Sequence, residues 1–201
     1  DVGQGNTDDN TLVFQLTAET GSTVRVYTGT PLAPVFVGLA VETTTSGQFE
    51  VTLDVGLADG SYSFFAVSTD KAGNNSAWSA ITDTFVIDTV APLEPTLQAL
   101  ATNVTTPVVT GWVTLGAGET FVVKVNGVSY EGVEGNGMTL SANAGVTTWN
   151  LQLPALTMNQ TYEVEVVVTD LAGNTRQDPS SAELVLENIA PTLMAFESTT
   201  A

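Results

Sequence analysis

Residues 62–74 read Y-S-F-F-A-V-S-T-D-K-A-G-N, and residues 162–174 read Y-E-V-E-V-V-V-T-D-L-A-G-N. Each stretch begins with aromatic and β-branched residues, a composition typical of a β-strand, and closes with an Asp-x-Ala-Gly-Asn turn. The two copies lie 100 positions apart in the sequence. A motif repeated at such a distance indicates an internal duplication of one folding unit.

A second repeated block follows each of these stretches. Residues 87–92 read I-D-T-V-A-P and residues 186–191 read L-E-N-I-A-P, an offset of 99 positions. Because the blocks recur in the same order at nearly constant spacing, the sequence predicts two domains. We place the first domain at residues 1–88 and the second at residues 89–188, with residues 189–201 as a linker or the start of a following repeat.

The rest of each unit consists of short runs in which apolar and polar residues alternate. Examples are T-V-R-V-Y at residues 23–27 and Q-F-E-V-T-L at residues 48–53, and turn signals such as Asp59-Gly60 and Asn126-Gly127 interrupt such runs. No window combines a helical period with helix formers and caps. The sequence therefore predicts an all-β protein made of two tandem immunoglobulin-like antiparallel β-sandwiches joined end to end, each with about seven strands.

Strand positions follow from the same runs. In the first unit we expect strands at Leu12–Thr17, Thr23–Thr28, Gln48–Leu53, Ser61–Thr69 and Ala80–Ile87, while the polar residues 1–10 give no clear first strand. In the second unit we expect strands at Pro95–Leu100, Val108–Thr114, Thr120–Asn126, Thr147–Leu153, Thr161–Thr169 and Ala182–Glu187, with a short strand region within Val128–Leu140.

The composition excludes several classes of function. The chain has no His and no Cys, and 22 acidic against 4 basic residues give a formal charge of −18. Imidazole and thiol catalysis, metals bound by His or Cys, and disulfides are therefore excluded, and we expect no enzyme. So acidic a chain repels phosphate backbones, and it lacks an apolar run of about 18 residues, so we expect no nucleic-acid partner and no membrane insertion. Because no basic region followed by an apolar core opens the chain, we expect no signal peptide and an excised piece of a longer protein.

Four ordered motifs carry a resemblance to a known family. They are A-E-T-G-S-T-V-R-V-Y (residues 18–27), L-A-D-G-S-Y (57–62), T-D-K-A-G-N-N-S (69–76) and I-D-T-V-A-P (87–92). This set resembles the bacterial immunoglobulin-like tandem repeats of giant RTX and biofilm surface adhesins, many of which are exported by type I secretion. The resemblance covers nearly all of the first unit, but only T-D-L-A-G-N and the flanking Ala-Pro elements of the second. It implies a secreted protein at the bacterial cell surface, with neighbouring repeats of the same chain as its partners.

The loops that close the ends of the predicted sandwiches carry several carboxylates. In this strand order the B–C and F–G loops lie at the end where strand A begins. We therefore expect one cluster from Asp1, Glu19 and Asp70, and a second at the joint from Asp88 and Asp170 with Asp59 facing them. Clustered carboxylates repel one another unless a cation lies between them, and Ca²⁺ accepts six to eight oxygen ligands with tolerant geometry. We predict that these six residues bind Ca²⁺ and stiffen the joint.

A second interpretation of the turn aspartates stays open. Asp70 and Asp170 can each hydrogen-bond the amides of their own Asx-type turn without any metal, and both interpretations can hold together. The second unit departs from the pattern of carboxylates in the first unit. Gly116 aligns with Glu19, and the nearby Glu119 is offset from that position. The Asp88-Thr89 pair of the first unit corresponds to Glu187-Asn188 in the second. We therefore expect any site at the far end of the second unit to be weaker.

Other conspicuous residues receive simpler interpretations. We expect Trp78, Trp112 and Trp149 to fill cores or cover strand edges rather than form a sugar platform. Glu163 and Glu165 alternate along a strand and are not expected to form a glycosidase pair. The E-G-V-E-G-N-G stretch at residues 131–137 is either an exposed binding loop or a long hairpin.

The favoured function is a non-enzymatic, calcium-stiffened extender, or stalk segment, of a bacterial surface adhesin. One alternative is an adhesin module that binds a glycan or a protein, which binding to simple sugars or a glycan array would reveal. Another alternative is an accessory domain of a secreted hydrolase. In that case the parent open reading frame would contain a catalytic neighbour instead of many similar repeats.

Overall fold

The computed structural model of the chain describes residues 6–53, 56–82, 84–180 and 183–193, and every regular element there is a β-strand. The chain forms two compact units. Unit 1 is Asp1–Ala91 with Asp170–Asn174, and unit 2 is Pro92–Thr169 with Thr175–Ala201. No helix that is long and apolar enough to cross a bilayer occurs in these described ranges.

Unit 1 has eight strands in its described part. They are β1 (Asn6–Thr7), β2 (Val13–Thr17), β3 (Thr23–Thr30), β4 (Ala33–Glu42), β5 (Gln48–Thr52), β6 (Gly60–Tyr62), β7 (Phe64–Thr69) and β8 (Phe85–Ile87). Five of them form one sheet in the order β2-β5-β4-β3-β7, and the other three form a sheet in the order β1-β8-β6.

The core of unit 1 follows from alternation along these strands. In β5, for example, Phe49 and Val51 are buried while the residues between and beside them are exposed. Core side chains come from both sheets: Leu12, Val24, Val26, Ala40, Phe49, Val51, Leu53, Phe64, Ala66, Phe85 and Ile87.

Strand β4 is the longest element of unit 1 that the sequence does not predict. Residues 33–42 read A-P-V-F-V-G-L-A-V-E, a continuous apolar run with a proline, so no alternation marks a strand. Pro34 pairs opposite Gly29 near the tip of the β3–β4 hairpin, where a missing N–H is tolerated. Gly38 faces the core, where a Cβ would come within 2.7 Å of Val51. Residues 33–42 therefore form a strand because they pair with β3, and not because of their own sequence pattern.

Unit 2 has eleven strands in its described part. They are β9 (Thr96–Gln98), β10 (Leu100–Thr102), β11 (Val108–Val113), β12 (Thr120–Val125), β13 (Val128–Glu131), β14 (Met138–Asn143), β15 (Val146–Gln152), β16 (Gln160–Tyr162), β17 (Val164–Thr169), β18 (Thr175–Gln177) and β19 (Leu184–Leu186). Their sheets have the orders β14-β15-β11-β9, β13-β12-β17-β18 and β10-β19-β16.

Trp149 is the largest fully buried side chain of unit 2. It lies beneath Gly111, where a Cβ would come within 2.4 Å of the indole ring. Strands β12 and β17 pack their alternate valines into the same core. Trp149 therefore fills the core, as predicted. Trp112 does not fill the core, because this residue is 44 % exposed.

Two short pairings are parallel, unlike the antiparallel ladders expected throughout. Strand β1 pairs in parallel with β8 in unit 1, and β10 pairs in parallel with β19 in unit 2. In each case an early strand of the unit pairs with its last strand. The predicted strands otherwise lie within a few residues of observed ones, except that Ala80–Ile87 shortens to β8, that Pro95–Leu100 corresponds to two strands, β9 and β10, and that β1 and β18 are additional.

Candidate functional site

Asp70 begins the turn that follows β7. Its Oδ1 accepts the N–H groups of Ala72 and Asn74, each at 2.8 Å, and its Oδ2 accepts the Asn74 side-chain amide at 2.8 Å. Gly73 in this turn has a φ of +92°, which favours glycine. Bonds from the side chain and backbone of Asn74 hold the pKa of Asp70 below its ordinary value of 3.8.

Asp170 makes the equivalent turn after β17. Its Oδ1 accepts three backbone N–H groups, from Ala172, Gly173 and Asn174, at 2.8–2.9 Å. Burial raises the pKa of Asp170, but the hydrogen bonds, led by that from the Asn174 side chain, outweigh it and leave the pKa below 3.8. These are the hydrogen bonds that the Asx-turn interpretation requires.

Asp88 and Asp59 also accept hydrogen bonds near the last strand of unit 1. Asp88 Oδ1 accepts the N–H of Val90 at 3.1 Å, and its backbone carbonyl accepts the Asn174 side-chain amide at 2.7 Å. Asp59 Oδ1 accepts the N–H of Thr89 at 3.0 Å and the hydroxyl of Thr89 at 2.8 Å. Asp59 therefore ties the loop before β6 to the residues after β8.

Glu19 and Asp70 line one shallow cavity of about 290 Å³ at the loop end of unit 1. Sequence reasoning places both residues at this end. The cavity is also lined by Lys71, whose side chain lies so close to Gly21 that a Cβ there would come within about 3 Å of it. An ammonium group in this position opposes the binding of a second cation.

The predicted calcium ligands do not form one carboxylate cluster in the described residues. No group of three or more Asp and Glu side chains is close enough to hold a metal in the part of the chain that the structure describes. Asp70 and Asp170 use both carboxylate oxygens for hydrogen bonds within their own loops. Asp1 lies outside the described residues. The assignment of these six residues to Ca²⁺ stays a prediction.

The second unit lacks the carboxylate of Glu19, as its sequence indicates. Glu119 instead folds back, and its Oε2 accepts the N–H of Gly116 at 2.8 Å. In the 131–137 stretch, Glu134 Oε1 accepts the N–H of Leu140 at 2.7 Å, which ties this connection to β14. Glu165 pairs with Lys124 at 3.1 Å and so links the neighbouring strands β17 and β12.

Sequence reasoning missed three carboxylates that the fold uses. Glu42 accepts the N–H groups of Gly47 and Gly21, each at 2.9 Å, and these bonds lower its pKa. Asp178 is buried and accepts the N–H of Leu97. Glu183 is 4 % exposed and accepts the N–H of Val164. Each acceptor meets a donor distant in sequence, so no local pattern reveals it.

Unit 1 also carries an aromatic cluster on the outer face of its five-stranded sheet. Tyr27 lies 5.7 Å from Phe36 and 5.3 Å from Trp78, measured between ring centroids. Phe65, opposite Tyr27 in the ladder, is only 2 % exposed because these rings cover it. Phe36 and Trp78 remain 54 % and 39 % exposed. We call these four residues the outer aromatic cluster.

Comparison with known proteins gives one family match. Residues 2–89 match the family described as bacterial Ig-like domain. A chimeric titin Z1Z2-Z1Z2 tandem with a fibronectin GRGDS peptide is 14 % identical, covers 93 % of this chain and 98 % of its own, and has a TM-score of 0.37. A chimeric titin Z1Z2 with a decorin KLER peptide is 12 % identical, covers 93 % and 96 %, and has a TM-score of 0.32. No curated protein matches the chain. Residues 2–89 are therefore similar to a bacterial Ig-like domain, and the described part of the chain is all-β.

Proposed function

We propose that this chain is a load-bearing spacer segment of a bacterial extracellular protein. Bacterial Ig-like domains are often extracellular or surface-exposed, and Ig-like domains are typically non-catalytic. The finer parts of the proposal are an adhesin stalk and neighbouring Ig-like repeats of the same chain as partners. The observation that carries the proposal is the parallel pairing of terminal strands within each unit.

The pairing in unit 2 has the geometry of a shear-loaded clamp. Leu100 N–H donates to the carbonyl of Glu183 at 2.6 Å, and Glu187 N–H donates to the carbonyl of Thr102 at 2.9 Å. A force that pulls the start of β10 and the end of β19 apart slides two parallel strands past each other. All hydrogen bonds between the strands then bear the load together, whereas a force across a sheet breaks its bonds one after another.

Unit 1 has a shorter version of this clamp. Asn6 pairs with Val86 and Thr7 with Ile87, and the N–H of Asp88 donates to the carbonyl of Thr7 at 3.0 Å. A strand clamp between early and late elements in both units suits a chain that transmits tension along its length.

A direction-dependent pulling experiment tests the proposal. Because the chain has no cysteine, introduced cysteines provide unique handles. Unit 2 of the full chain is pulled through Glu94→Cys and Ile189→Cys, which load the β9–β11 ladder first and then β10 and β19 in shear. The control pulls through Ser129→Cys and Gln177→Cys, on the two edge strands of the β13-β12-β17-β18 sheet. We expect a higher unfolding force through the terminal pair, and equal or lower force there would overturn the proposal.

Calcium stiffening is a separate part of the proposal with its own test. It requires ligands beyond the hydrogen-bonded turns of Asp70 and Asp170. If Ca²⁺ binds the folded chain, chelation lowers the melting temperature of at least one unit. An unchanged melt in excess chelator would leave the turn hydrogen bonds as the role of these two aspartates.

The outer aromatic cluster favours a second candidate function, a ligand-binding module. Exposed aromatic side chains on a sheet face, where polar residues are expected, are typical of binding surfaces. Sugars stacking on Trp78 or Phe36 would change the fluorescence of Trp78. Titration of simple sugars and a glycan array against the native chain and Trp78→Leu tests this function, with the exposed Trp112→Leu of unit 2 as the control. No sugar binding by the native chain, or equal binding by Trp78→Leu, would exclude a sugar-binding function for the outer aromatic cluster.

A further inference from the structure

One sheet of unit 2 has no charged side chains. Strands β9, β11, β14 and β15, which form the sheet β14-β15-β11-β9, contain no Asp, Glu, Lys or Arg. The other four-stranded sheet of unit 2 carries Glu131, Lys124, Glu165 and Arg176. In a chain with a formal charge of −18, these four strands therefore form a distinct, uncharged surface.

The outer face of this sheet presents an ordered array of hydrogen-bonding side chains. Val109, Trp149 and Leu151 are buried on the inner face, so the residues that alternate with them point outward. Two neighbouring rows run across the four strands: Ser141, Thr148, Trp112 and Thr96, and then Thr139, Asn150, Thr110 and Gln98. We call these eight residues the neutral face.

Trp112 lies near the centre of the neutral face. Strand β11 is bonded to β15 on one side and to β9 on the other, and Trp112 is 44 % exposed. Thr148 and Thr96 flank it on the neighbouring strands. A half-exposed indole among short hydroxyl side chains offers a ring surface on which the apolar side of a ligand can stack.

Two amide side chains on the outer side of β15 are oriented by the protein itself. The Thr110 hydroxyl donates to Asn150 Oδ1 at 2.9 Å, and the Asn150 Nδ2 group makes no hydrogen bond with the described residues. Gln152 Nε2 donates to the carbonyls of Thr106 and Pro107 at 2.8 and 3.2 Å, which leaves its Oε1 as an acceptor. A ligand on this face therefore meets one oriented donor and one oriented acceptor.

The corresponding sheet of unit 1 lacks this array. Strands β2 and β5 correspond to β11 and β15, and each pair has the same antiparallel register. In that alignment Thr17 stands where unit 2 has Trp112, and Glu50 stands where it has Asn150. The exposed indole and the neutral amide beside it are thus features of unit 2 and not of both copies.

We propose that the neutral face of unit 2 binds an uncharged saccharide. A sugar ring would stack its C–H side on the Trp112 indole, and the surrounding hydroxyl and amide groups would bond the sugar hydroxyls. Because β11 is bonded to strands on both sides, an extended peptide cannot add to it as a further strand. A chain of charge −18 repels anionic sugars and a second copy of itself, whereas an uncharged sugar meets no such repulsion. This inference is independent of the spacer function and of the outer aromatic cluster.

The test titrates the full chain by calorimetry with three uncharged hexasaccharides, cellohexaose, maltohexaose and mannohexaose, and with the acidic hexamer of galacturonic acid. Trp112→Leu removes the indole, and Trp78→Leu makes the same substitution at the exposed tryptophan of unit 1. Asn150→Glu introduces the carboxylate that unit 1 has at the equivalent position. Ser129→Glu is its matched control, because it adds the same charge to the other four-stranded sheet of unit 2.

We expect at least one uncharged hexasaccharide to bind with a dissociation constant below about 1 mM, and both Trp112→Leu and Asn150→Glu to weaken it at least about tenfold. Trp78→Leu and Ser129→Glu should bind like the native chain. The proposal is overturned if no uncharged hexasaccharide binds, if Trp112→Leu binds equally well, or if the galacturonic acid hexamer binds as tightly.

Two further outcomes would assign binding elsewhere and also overturn the proposal. Loss of sugar binding in Trp78→Leu alone would place the sugar on the outer aromatic cluster of unit 1. Sedimentation of the chain without sugar tests self-association, and a dimer that Trp112→Leu dissolves would assign the neutral face to a second copy of the chain.

Discussion

Thr102→Pro is the substitution that examines the load-bearing clamp most directly. In the parallel register, Thr102 pairs with Leu186, and the Glu187 N–H donates to the Thr102 carbonyl. The same geometry directs the N–H of Thr102 to the carbonyl of Val185. Proline removes this N–H, while Ala101→Pro removes an N–H on the opposite, free edge of β10, where proline is tolerated. The two variants therefore carry the same substitution on either side of one ladder.

One ladder hydrogen bond contributes about 0.5–1.5 kcal/mol net. If shear breaks the ladder in the unfolding transition state, losing one bond speeds unfolding under constant force by about 2- to 13-fold. Constant-force tweezers with handles at Glu94→Cys and Ile189→Cys measure this rate. Thr102→Val serves as a further control, because it removes only the hydroxyl that accepts the Val104 N–H.

We expect faster unfolding of unit 2 in Thr102→Pro and an unfolding rate near that of the native chain in Ala101→Pro and Thr102→Val. Equal rates for the two proline variants would refute the clamp, because the β10–β19 ladder would then not bear the load.

Three further predictions concern stability. Asp178→Ala leaves the buried Leu97 N–H without its acceptor, so the unfolding free energy of unit 2 should fall by about 1–3 kcal/mol in urea denaturation; a change below about 0.5 kcal/mol would mean that another group accepts this N–H. Trp149→Ala empties the core under Gly111 and should cost about 3–5 kcal/mol, lowering the melting temperature of unit 2, whereas exposed Trp112→Ala should change it little. The folded-state pKa of Asp70 is lowered, so its stabilisation is present above the unfolded value of 3.8 and disappears as the pH falls through the folded value. The urea midpoints of the native chain and Asp70→Asn should therefore converge in acid, and a constant difference down to about pH 2.5 would contradict this linkage.

The sequence determined the features that depend on local order. The repeated T-D-x-A-G-N turns specify their own Asx geometry, because Asp70 and Asp170 find their donors within four residues. Alternating runs such as Q-F-E-V-T-L specify strands with one buried face, so β5, β12 and β15 lie close to their predicted positions. Composition alone excluded catalysis by His or Cys, metal sites that need them, and disulfides.

Features that depend on distant partners follow from the tertiary structure and not from local sequence. Strand β4 has no alternation and forms because β3 offers it a long ladder. The acceptors Asp178 and Glu42 meet donors that are remote in sequence or set by loop closure. The parallel pairing of β10 with β19 joins residues more than eighty positions apart. Pairing between distant strands depends on which edges remain free after the rest of the sheet has formed, and local sequence carries no record of that.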